Sequence, residues 1–240
     1  MRRLALLLAV LWGGPAAAVE CENFIFEGHS MTACRVDAAT EDLRLFHRDA
    51  AGRVLGSFGA VAGVAGPLDF AMNAGMYHPD RRAVGLYVEN GQEQAPIVTR
   101  DGPGNFGLLP NGVLCLTDDS ARVIESRAFD RDRPACRDAS QSGPMLVIDG
   151  ALHPRFLPAS TSAFVRNGVG TSADGRTAVF VIANDPVNFH TFARVFRDVF
   201  GTPNALYFDG KVSRLYAPAL GRDDLGFQLG PIVGVVRPPS

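Results

Sequence analysis

The stretch TAVFVIANDPVNFHTFARVFRDVFGTPNALYFDG, residues 177–210, has the most regular patterning in the chain. The runs Thr177–Ala183 and Ala205–Phe208 are short and apolar, so both are predicted to be strands. Between them, apolar residues recur at helical spacing over 189–200, which predicts an amphipathic helix whose phenylalanines pack in the core. Asn188 is the predicted N-cap, and the Gly-Thr-Pro sequence that follows the pattern ends the helix.

Outside this stretch, short apolar runs alternate with turn-forming residue pairs. With 26 glycines, 16 prolines and repeated Asn-Gly or Asp-Gly pairs, the chain favours hairpins over long helices. Further strands are predicted at 84–88, 113–116, 145–148 and 163–171, and a weaker helical pattern covers 54–64. Many short strands around few helices predict an α+β fold: a single mixed domain, largely antiparallel sheet with a few packed helices.

The N-terminus has the composition of a cleavable export signal. Two arginines precede the apolar run Leu4–Trp12, and the small residues Ala16-Ala17-Ala18 follow it. The alternative is a short membrane anchor, but the run is much shorter than the roughly 20 residues that cross a bilayer. We therefore expect residues 1–18 to be a signal peptide and residues 19–240 to form one exported domain, periplasmic or secreted, without stable membrane insertion.

The four cysteines agree with an oxidising compartment. They allow three pairings. We expect Cys21 to pair with Cys34 and Cys115 with Cys136, because each of these bridges closes a short loop around turn-forming sequence. The spacings contain no CxxC, which argues against a zinc site or a thioredoxin-like redox role.

Composition and motif context disfavour several classes of function. A net charge of −2 gives no electrostatic footprint for nucleic acid. The sequence GPGNFG at 102–107 matches the dinucleotide pattern GxGxxG, but turn-forming Pro110-Asn111-Gly112 follows where that pattern needs a helix. The histidines lack metal-ligand spacing, and no GxSxG nucleophile motif occurs. We therefore expect no nucleic-acid partner, no cofactor and no metal.

Polar residues that follow or interrupt apolar runs in glycine-rich surroundings are the candidates for a functional cleft. They are Asn73, Gln141, Ser142, Arg166, Asn167 and Asp209. A guanidinium within an apolar strand suits two-pronged binding of a phosphate or carboxylate. Structural alternatives exist: a surface ion pair for Arg166, a left-handed turn for Asn73, and a hairpin turn for Asp209-Gly210.

Seven ordered segments carry a resemblance to a known family. They are NAGMY (73–77), GLYVENG (85–91), GNFGLLPNGV (104–113), QSGPMLVIDG (141–150), RNGVG (166–170), NFHTFARVFRD (188–198) and ALYFDG (205–210). Over residues 65–220 the chain resembles the phosphodiester glycosidase domain family, in particular its bacterial exported branch.

The resemblance implies a hydrolase that cleaves a sugar-1-phosphodiester at its anomeric C–O bond. Asn73, Arg166 and Asp209 match the residues that line the family's active site. This chain departs from the family in having Asn-Ala-Gly-Met for Asn-Gly-Gly-Phe. It also has Lys211 and Val212 where members have glycine. Side chains there replace backbone that would approach a ligand closely, so a different substrate is expected.

The chemistry that the resemblance implies assigns roles to these residues. A phosphodiester departs with little protonation, which relaxes the usual demand for two carboxylic acids. Arg166 is expected to hold the phosphate, and Asp209 to act near the anomeric carbon as nucleophile, base or electrostatic stabiliser. Hydrogen bonds to the substrate are expected from Asn73, Asn105, Gln141, Ser142, Asn167 and Ser213.

The expected partner is a carbohydrate or sugar-phosphate substrate, in envelope or exogenous glycans. The oligomeric state is left open. A non-catalytic glycan-binding protein and a structural envelope protein are the alternatives. Exposed aromatic rings beside the cleft, such as Tyr77 and Tyr216, would favour sugar binding.

Overall fold

A computed structural model describes residues 19–238 of the protein. The predicted signal peptide, residues 1–18, lies outside the described residues. The described chain contains three sheets in which all paired strands are antiparallel. This architecture confirms the predicted α+β fold with largely antiparallel pairing.

The first sheet has seven strands, in the order β1 (Glu20–Phe26), β2 (His29–Asp37), β13 (Thr177–Ala183), β12 (Asn167–Thr171), β14 (Asn204–Asp209), β10 (Met145–Ile148) and β11 (Ala151–Leu152). The second has the order β16 (Arg222–Asp223), β15 (Leu215–Ala217), β4 (Leu68–Asn73), β17 (Ile232–Val236) and β3 (Asp42–Phe46). The third has the order β6 (Gln92–Ala95), β5 (Tyr87–Glu89), β9 (Asp138–Ser142), β7 (Gly112–Leu116) and β8 (Ala121–Glu125). The helices are α1 (Phe58–Ala65), α2 (Ser126–Asp132) and α3 (Phe189–Arg194), with a 3-10 turn at Pro218–Leu220.

The helix predicted from the phenylalanine spacing is α3, which continues as a π-helical turn over Val195–Val199. Its predicted N-cap is confirmed: Oδ1 of Asn188 accepts a hydrogen bond from the amide of Thr191 at 2.9 Å. Phe192 and Phe196 are fully buried, with ring centroids 5.4 Å apart. Burying a side chain of this size stabilises the fold by about 1.5–3 kcal/mol.

The central core lies where the sheets face one another. Phe70 of β4 packs on Phe180 of β13, with ring centroids 4.8 Å apart. Along β14, Leu206 and Phe208 belong to this core, whereas Tyr207 belongs to the cluster beneath α3. This alternation follows the strand pleat.

Three of the predicted turns are hairpins, and one carries the chain between sheets. Asn90-Gly91, Asp149-Gly150 and Asp174-Gly175 each join paired neighbouring strands, with positive φ at Asn90 and Asp149. Asp209-Gly210 does not. β14 pairs within the first sheet, whereas the next strand, β15, pairs with β4 in the second. The hairpin alternative for Asp209 is therefore wrong, and this segment carries the chain from one sheet to the other.

Both predicted disulfides are present. Cys21–Cys34 joins directly opposed positions of β1 and β2, and Cys115–Cys136 joins β7 to the segment before β9. A bridge of this kind typically contributes about 2–4 kcal/mol. None of the helices within residues 19–238 combines the length and apolar character needed to cross a membrane.

Candidate active site

The site lies where β12 and β14 of the first sheet end beside β4 of the second. Asn73 ends β4 and Asn167 begins β12, and both are fully buried. Nδ2 of Asn167 donates to Oδ1 of Asn73 at 3.0 Å and to its carbonyl oxygen at 3.1 Å. Oδ1 of Asn167 accepts in turn from the amide of Asp209 and from Oγ of Ser213, each at 3.1 Å. These amides fix the two sheets together and hold Asp209 in place.

Asp209, the last residue of β14, is half-buried with its carboxylate in a tight turn. Within the described chain, the amides of Lys211 and Val212 donate hydrogen bonds to this carboxylate, and both bonds go to Oδ1. Because backbone amides supply them, the turn forms with Lys211 and Val212 in place of the glycines found in the family that the sequence resembles. Oδ2 is left for other groups.

Gly210, the residue after Asp209, lies too close to neighbouring side chains to carry a side chain of its own. A Cβ atom at Gly210 would lie 2.4 Å from the hydroxyl oxygen of Tyr207 and 3.2 Å from Cβ of Phe164. No real Cβ atom tolerates the first distance without movement of its neighbour. Gly210 therefore allows the turn at Asp209 to pack against the Tyr207 hydroxyl.

Arg166 is completely buried, directly before β12. Nε donates to the carbonyl of Val187 at 2.8 Å and Nη2 to the carbonyl of Ser162 at 2.9 Å, while Nη1 has no partner. The guanidinium stacks on Phe189, 3.6 Å from the ring centroid. Two of its nitrogens thus each donate one hydrogen bond to backbone, Nη1 is the nitrogen without a partner, and the two-pronged clamp expected from the sequence stays a prediction.

Burial lowers the pKa of Arg166, because removal from water penalises the charged form. Within residues 19–238, no carboxylate forms an ion pair with this guanidinium. A buried cation without a counter-charge is costly unless an anion binds to it. The structural alternative of a surface ion pair is therefore wrong.

Tyr207, two residues before Asp209, connects Arg166 to the rest of the site. Burial raises the pKa of the Tyr207 phenol, and the negative charge of Asp209 adds to that rise. The positive charge of Arg166 and a hydrogen bond with Asn105 oppose it. The phenol is therefore protonated at neutral pH and lies among the three side chains. Sequence analysis missed Tyr207, although the two-residue period of a strand places it on the same face as Asp209.

Two more residues also lie at the site: Tyr77, which the sequence suggested only as an exposed ring, and Arg214, which sequence analysis missed. The Tyr77 hydroxyl and Nε of Arg214 are buried and have no hydrogen-bond partner. Burial raises the pKa of Tyr77, and the negative charge of Asp209 adds to that effect. The pKa of Arg214 is lowered by burial, and Tyr77 opposes the change. The available signal was sequence proximity: Tyr77 ends the segment NAGMY that begins with Asn73, and Arg214 directly follows Ser213.

Gln141 and Ser142 use their polar atoms within the protein. Oε1 of Gln141 accepts from the amides of Leu86 and Val98, and Nε2 donates to the carbonyl of Val98 and to Ser126. Oγ of Ser142 donates to the carbonyl of Phe208 at 3.2 Å. These contacts favour supporting roles over the expected substrate contacts. Oγ of Ser213 likewise donates to the backbone carbonyls of Val165 and Asp209. Asn105 is exposed and lies at the Tyr207 hydroxyl.

The aromatic residues at the rim differ from those expected. Tyr216 packs against Phe58 of α1, with centroids 6.1 Å apart, and the Tyr77 hydroxyl is buried. The exposed rings belong instead to Phe164, 43% exposed, and Phe227, 85% exposed. Phe164 lies against Arg166, and the carbonyl of Phe227 accepts a hydrogen bond from Arg214.

Taken together, three residues linked to the Asp209 turn, Arg166 through Tyr207, Arg214 through Asn73, and Tyr77, each carry a buried polar atom without a partner. Nη1 of Arg166, Nε of Arg214 and the Tyr77 hydroxyl can all donate to an oxygen-rich anion, and Asp209 supplies negative charge beside them. The described residues contain no group of three or more His, Cys, Asp or Glu side chains arranged to hold a metal ion. Such a site can bind a phosphate and stabilise positive charge on a neighbouring carbon.

Comparison with known proteins gives consistent results. The model of the phosphodiester glycosidase family matches residues 67–224. The Escherichia coli (strain K12) protein YigE, described as uncharacterized, is 32% identical over 221 residues, which cover 90% of this chain and 85% of YigE.

Two solved structures share the fold. One is the zebrafish N-acetylglucosamine-1-phosphodiester alpha-N-acetylglucosaminidase catalytic domain auto-inhibited by its pro-peptide, with a TM-score of 0.62 and 12% identity, covering 95% of this chain and 85% of that one. The other is a hypothetical protein from Synechocystis, with a TM-score of 0.60 and 13% identity, covering 91% of this chain and 62% of that one.

Proposed function

This chain belongs to the phosphodiester glycosidase family and is a hydrolase of phosphodiester glycosidic bonds, and we propose that it cleaves a sugar-1-phosphodiester between the anomeric carbon and the phosphate oxygen. The observation that carries this proposal is the set of buried, unpartnered donors around Asp209. Buried polar groups in a folded protein are nearly always hydrogen-bonded. Three exceptions in one place indicate a ligand that supplies several oxygen acceptors, as a phosphodiester does.

The charge distribution supports the same substrate class. Arg166 and Arg214 bring two buried guanidinium groups to the site, and the carboxylate of Asp209 beside them is half-buried. The phosphate supplies the counter-charge that Arg166 lacks, through Nη1. Arg214, whose amide donates to Oδ1 of Asn73, contributes Nε. The hydroxyl of Tyr77 donates the third hydrogen bond.

The proposed reaction needs little from the protein beyond this arrangement. The bond between the anomeric carbon and the phosphate oxygen breaks, and its electron pair leaves with the phosphate. Water supplies the new oxygen at the anomeric carbon and releases a proton. Asp209 directs its Oδ2 to the anomeric carbon, where positive charge develops in the transition state. A preorganised charge of this kind is commonly worth several kcal/mol of barrier.

The cysteines and the N-terminal sequence support an exported location. Disulfides form and persist in oxidising surroundings, and both bridges fit such a compartment. We place the mature chain outside the cytoplasm, after removal of residues 1–18. Its substrate is then a sugar-1-phosphodiester within envelope or exogenous glycans.

The position of bond cleavage tests the proposal. Purified protein is incubated in H₂¹⁸O with a panel of sugar-1-phosphodiesters, and the products are analysed by mass spectrometry. Cleavage at the anomeric carbon places ¹⁸O in the released sugar. Label in the phosphate would mean attack at phosphorus and would overturn the mechanism. Label in neither product, with no turnover across the panel, would count against this substrate class.

A further inference from the structure

A cavity lies beside the hairpin of residues 76–84, which also contains Tyr77. Its volume is 450 Å³, and its lining includes His47, Arg48, His78, Arg82, Tyr87 and Val98. Neither Asp209, Arg166 nor Asn73 lines it, so it is separate from the candidate active site. Cavities of roughly 300–1,000 Å³ hold small-molecule ligands.

His47 gives this cavity a specific chemical requirement. The residue is 3% exposed, and its Nε2 lies 2.7 Å from the carbonyl oxygen of Arg81. Because a carbonyl only accepts, Nε2 carries the proton and Nδ1 is an acceptor. Nδ1 is buried and has no partner. Burial lowers the pKa of His47, which keeps the ring neutral at neutral pH. A ligand hydroxyl would satisfy this acceptor.

The charged groups in the lining are all basic. Arg48 and Arg82 line the cavity with His78, and none of the described residues that line it is Asp or Glu. Arg82 uses Nε to bind Asp80, and Arg48 uses Nη1 to bind the carbonyl of Gly52, so each guanidinium keeps further donors. The nearby carboxylate of Glu89 lies outside the lining and accepts from the Tyr87 hydroxyl. An anionic group on the ligand would meet two cations.

The wall of the cavity is held by the central structure. Val98 is bound through both its amide and its carbonyl by the side chain of Gln141, at 3.0 and 2.6 Å. Gln141 belongs to β9, and its Nε2 also donates to Ser126 at 2.8 Å. This fixes the shape of the cavity before any ligand binds, which lowers the entropic cost of binding. It also gives Gln141 a purpose that the sequence did not indicate.

We propose that this cavity binds a small polyhydroxylated anion, a sugar phosphate or a sugar acid, with one hydroxyl donating to Nδ1 of His47 and the anionic group facing Arg48 and Arg82. The apolar wall of Val84, Pro96 and Val98 covers the ring of the ligand. This site is independent of the proposed hydrolysis.

Calorimetric titration of the full chain with glucose 6-phosphate and with glucuronate tests the proposal. We expect saturable binding of at least one probe, and the tighter of the two identifies the anionic group. The double variant Arg48→Gln/Arg82→Gln should bind it at least tenfold more weakly, and His47→Phe at least fivefold. Arg48 and Arg82 are partly or fully exposed, so their replacement leaves the fold intact. Arg131→Gln, at a site 69% exposed on α2, is the matched control and should bind normally.

Arg214→Gln separates this site from the candidate active site, because Arg214 is one of the proposed phosphate donors there and does not line this cavity. This variant should bind the probe normally, whether or not the protein hydrolyses phosphodiesters. Loss of binding in it would place the ligand at the candidate active site and overturn the proposal. Absence of saturable binding to the unaltered protein would also overturn it. So would inorganic phosphate binding as tightly as glucose 6-phosphate, since the hydroxyl contact would then contribute nothing.

Discussion

Replacement of Gly210 by alanine tests the packing that positions Asp209. The added Cβ would lie 2.4 Å from the Tyr207 hydroxyl oxygen, whereas the next atom of that ring, Cζ, is 3.6 Å away, an ordinary contact. Overpacking of this kind typically costs about 1–3 kcal/mol. For a domain of this size, that corresponds to a fall in Tm of about 2–12 °C. Most of the clash therefore comes from one oxygen atom, and Cβ of Phe164, at 3.2 Å, adds a smaller part.

A double-mutant cycle isolates that oxygen. In a Tyr207→Phe background the 2.4 Å contact is absent, so Gly210→Ala should cost less than about 0.5 kcal/mol, leaving a coupling energy of about 1–2 kcal/mol. Unfolding in urea, followed by circular dichroism, measures all four variants. Gly63→Ala is the matched control. Gly63 lies within α1, and a Cβ added there would have no atom within 4 Å, so alanine should be neutral or stabilising by up to about 1 kcal/mol.

The result that would refute this reasoning is additivity. If Gly210→Ala costs the same in both backgrounds, the Tyr207 hydroxyl does not set the position of the turn. The activity of Gly210→Ala provides a second measure, because displacement of Asp209 by even about 1 Å should reduce turnover by roughly a hundredfold.

Three further predictions follow from other parts of the structure. Arg166→Lys should lower the free energy of unfolding by at least about 2 kcal/mol, because lysine cannot replace both backbone hydrogen bonds; an unchanged urea midpoint would show that these bonds contribute little. Burial raises the pKa of Glu41 from 4.5 to about 7, so the folded state holds more protons than the unfolded state between these values and stability falls as pH rises through that window. The full shift corresponds to about 3.4 kcal/mol, reduced to about 1–2 kcal/mol because Glu41 is only half-buried. As the pH rises from about 4 to 8, the unaltered protein should therefore lose about 1–2 kcal/mol more stability than the Glu41→Gln variant. Parallel pH profiles of the two proteins would contradict the assignment. Removing the Cys115–Cys136 bridge by double alanine replacement should cost about 2–4 kcal/mol, and peptide mapping without reductant should recover the intact bridge from the unaltered protein.

The elements that sequence alone can predict are those with strong local signals. The strand Thr177–Ala183 is predicted with its observed bounds, and the α3 helix with its cap, because periodicity and capping act within a few residues. The strand predicted at 163–171 begins at Asn167 instead, because Phe164 bridges to Val187 and Arg166 is fixed by backbone carbonyls there. Strand β1 lies at a sheet edge and is mostly exposed, and its apolar residues, Cys21 apart, are confined to its last three positions, so the sequence offers no regular strand pattern there.

At the site, sequence resemblance identifies the polar residues that lie together, whereas the chemistry of single residues misjudges what some of them do. Asn73, Asn167 and Asp209 do meet across two sheets. The backbone contacts of Arg166 and the internal contacts of Gln141 depend on loops outside their own strands, which no local pattern encodes. For the same reason, the unpartnered groups of Tyr77 and Arg214 become visible only in the folded chain.

The central claim is that Asp209 supplies the negative charge on which cleavage at the anomeric carbon depends, and Asp209→Asn tests it most directly. Asparagine keeps an oxygen to accept from the amides of Lys211 and Val212, so the turn should persist and Tm should stay within a few degrees. Asp149→Asn, in the exposed Asp-Gly hairpin after β10, is the matched control and should keep full activity. With a phosphodiester that the unaltered protein hydrolyses, we predict that kcat for Asp209→Asn falls by at least a hundredfold, or about 2.7 kcal/mol of barrier. A folded Asp209→Asn variant that retains more than about a tenth of the rate, less than ~1.4 kcal/mol, would contradict the account.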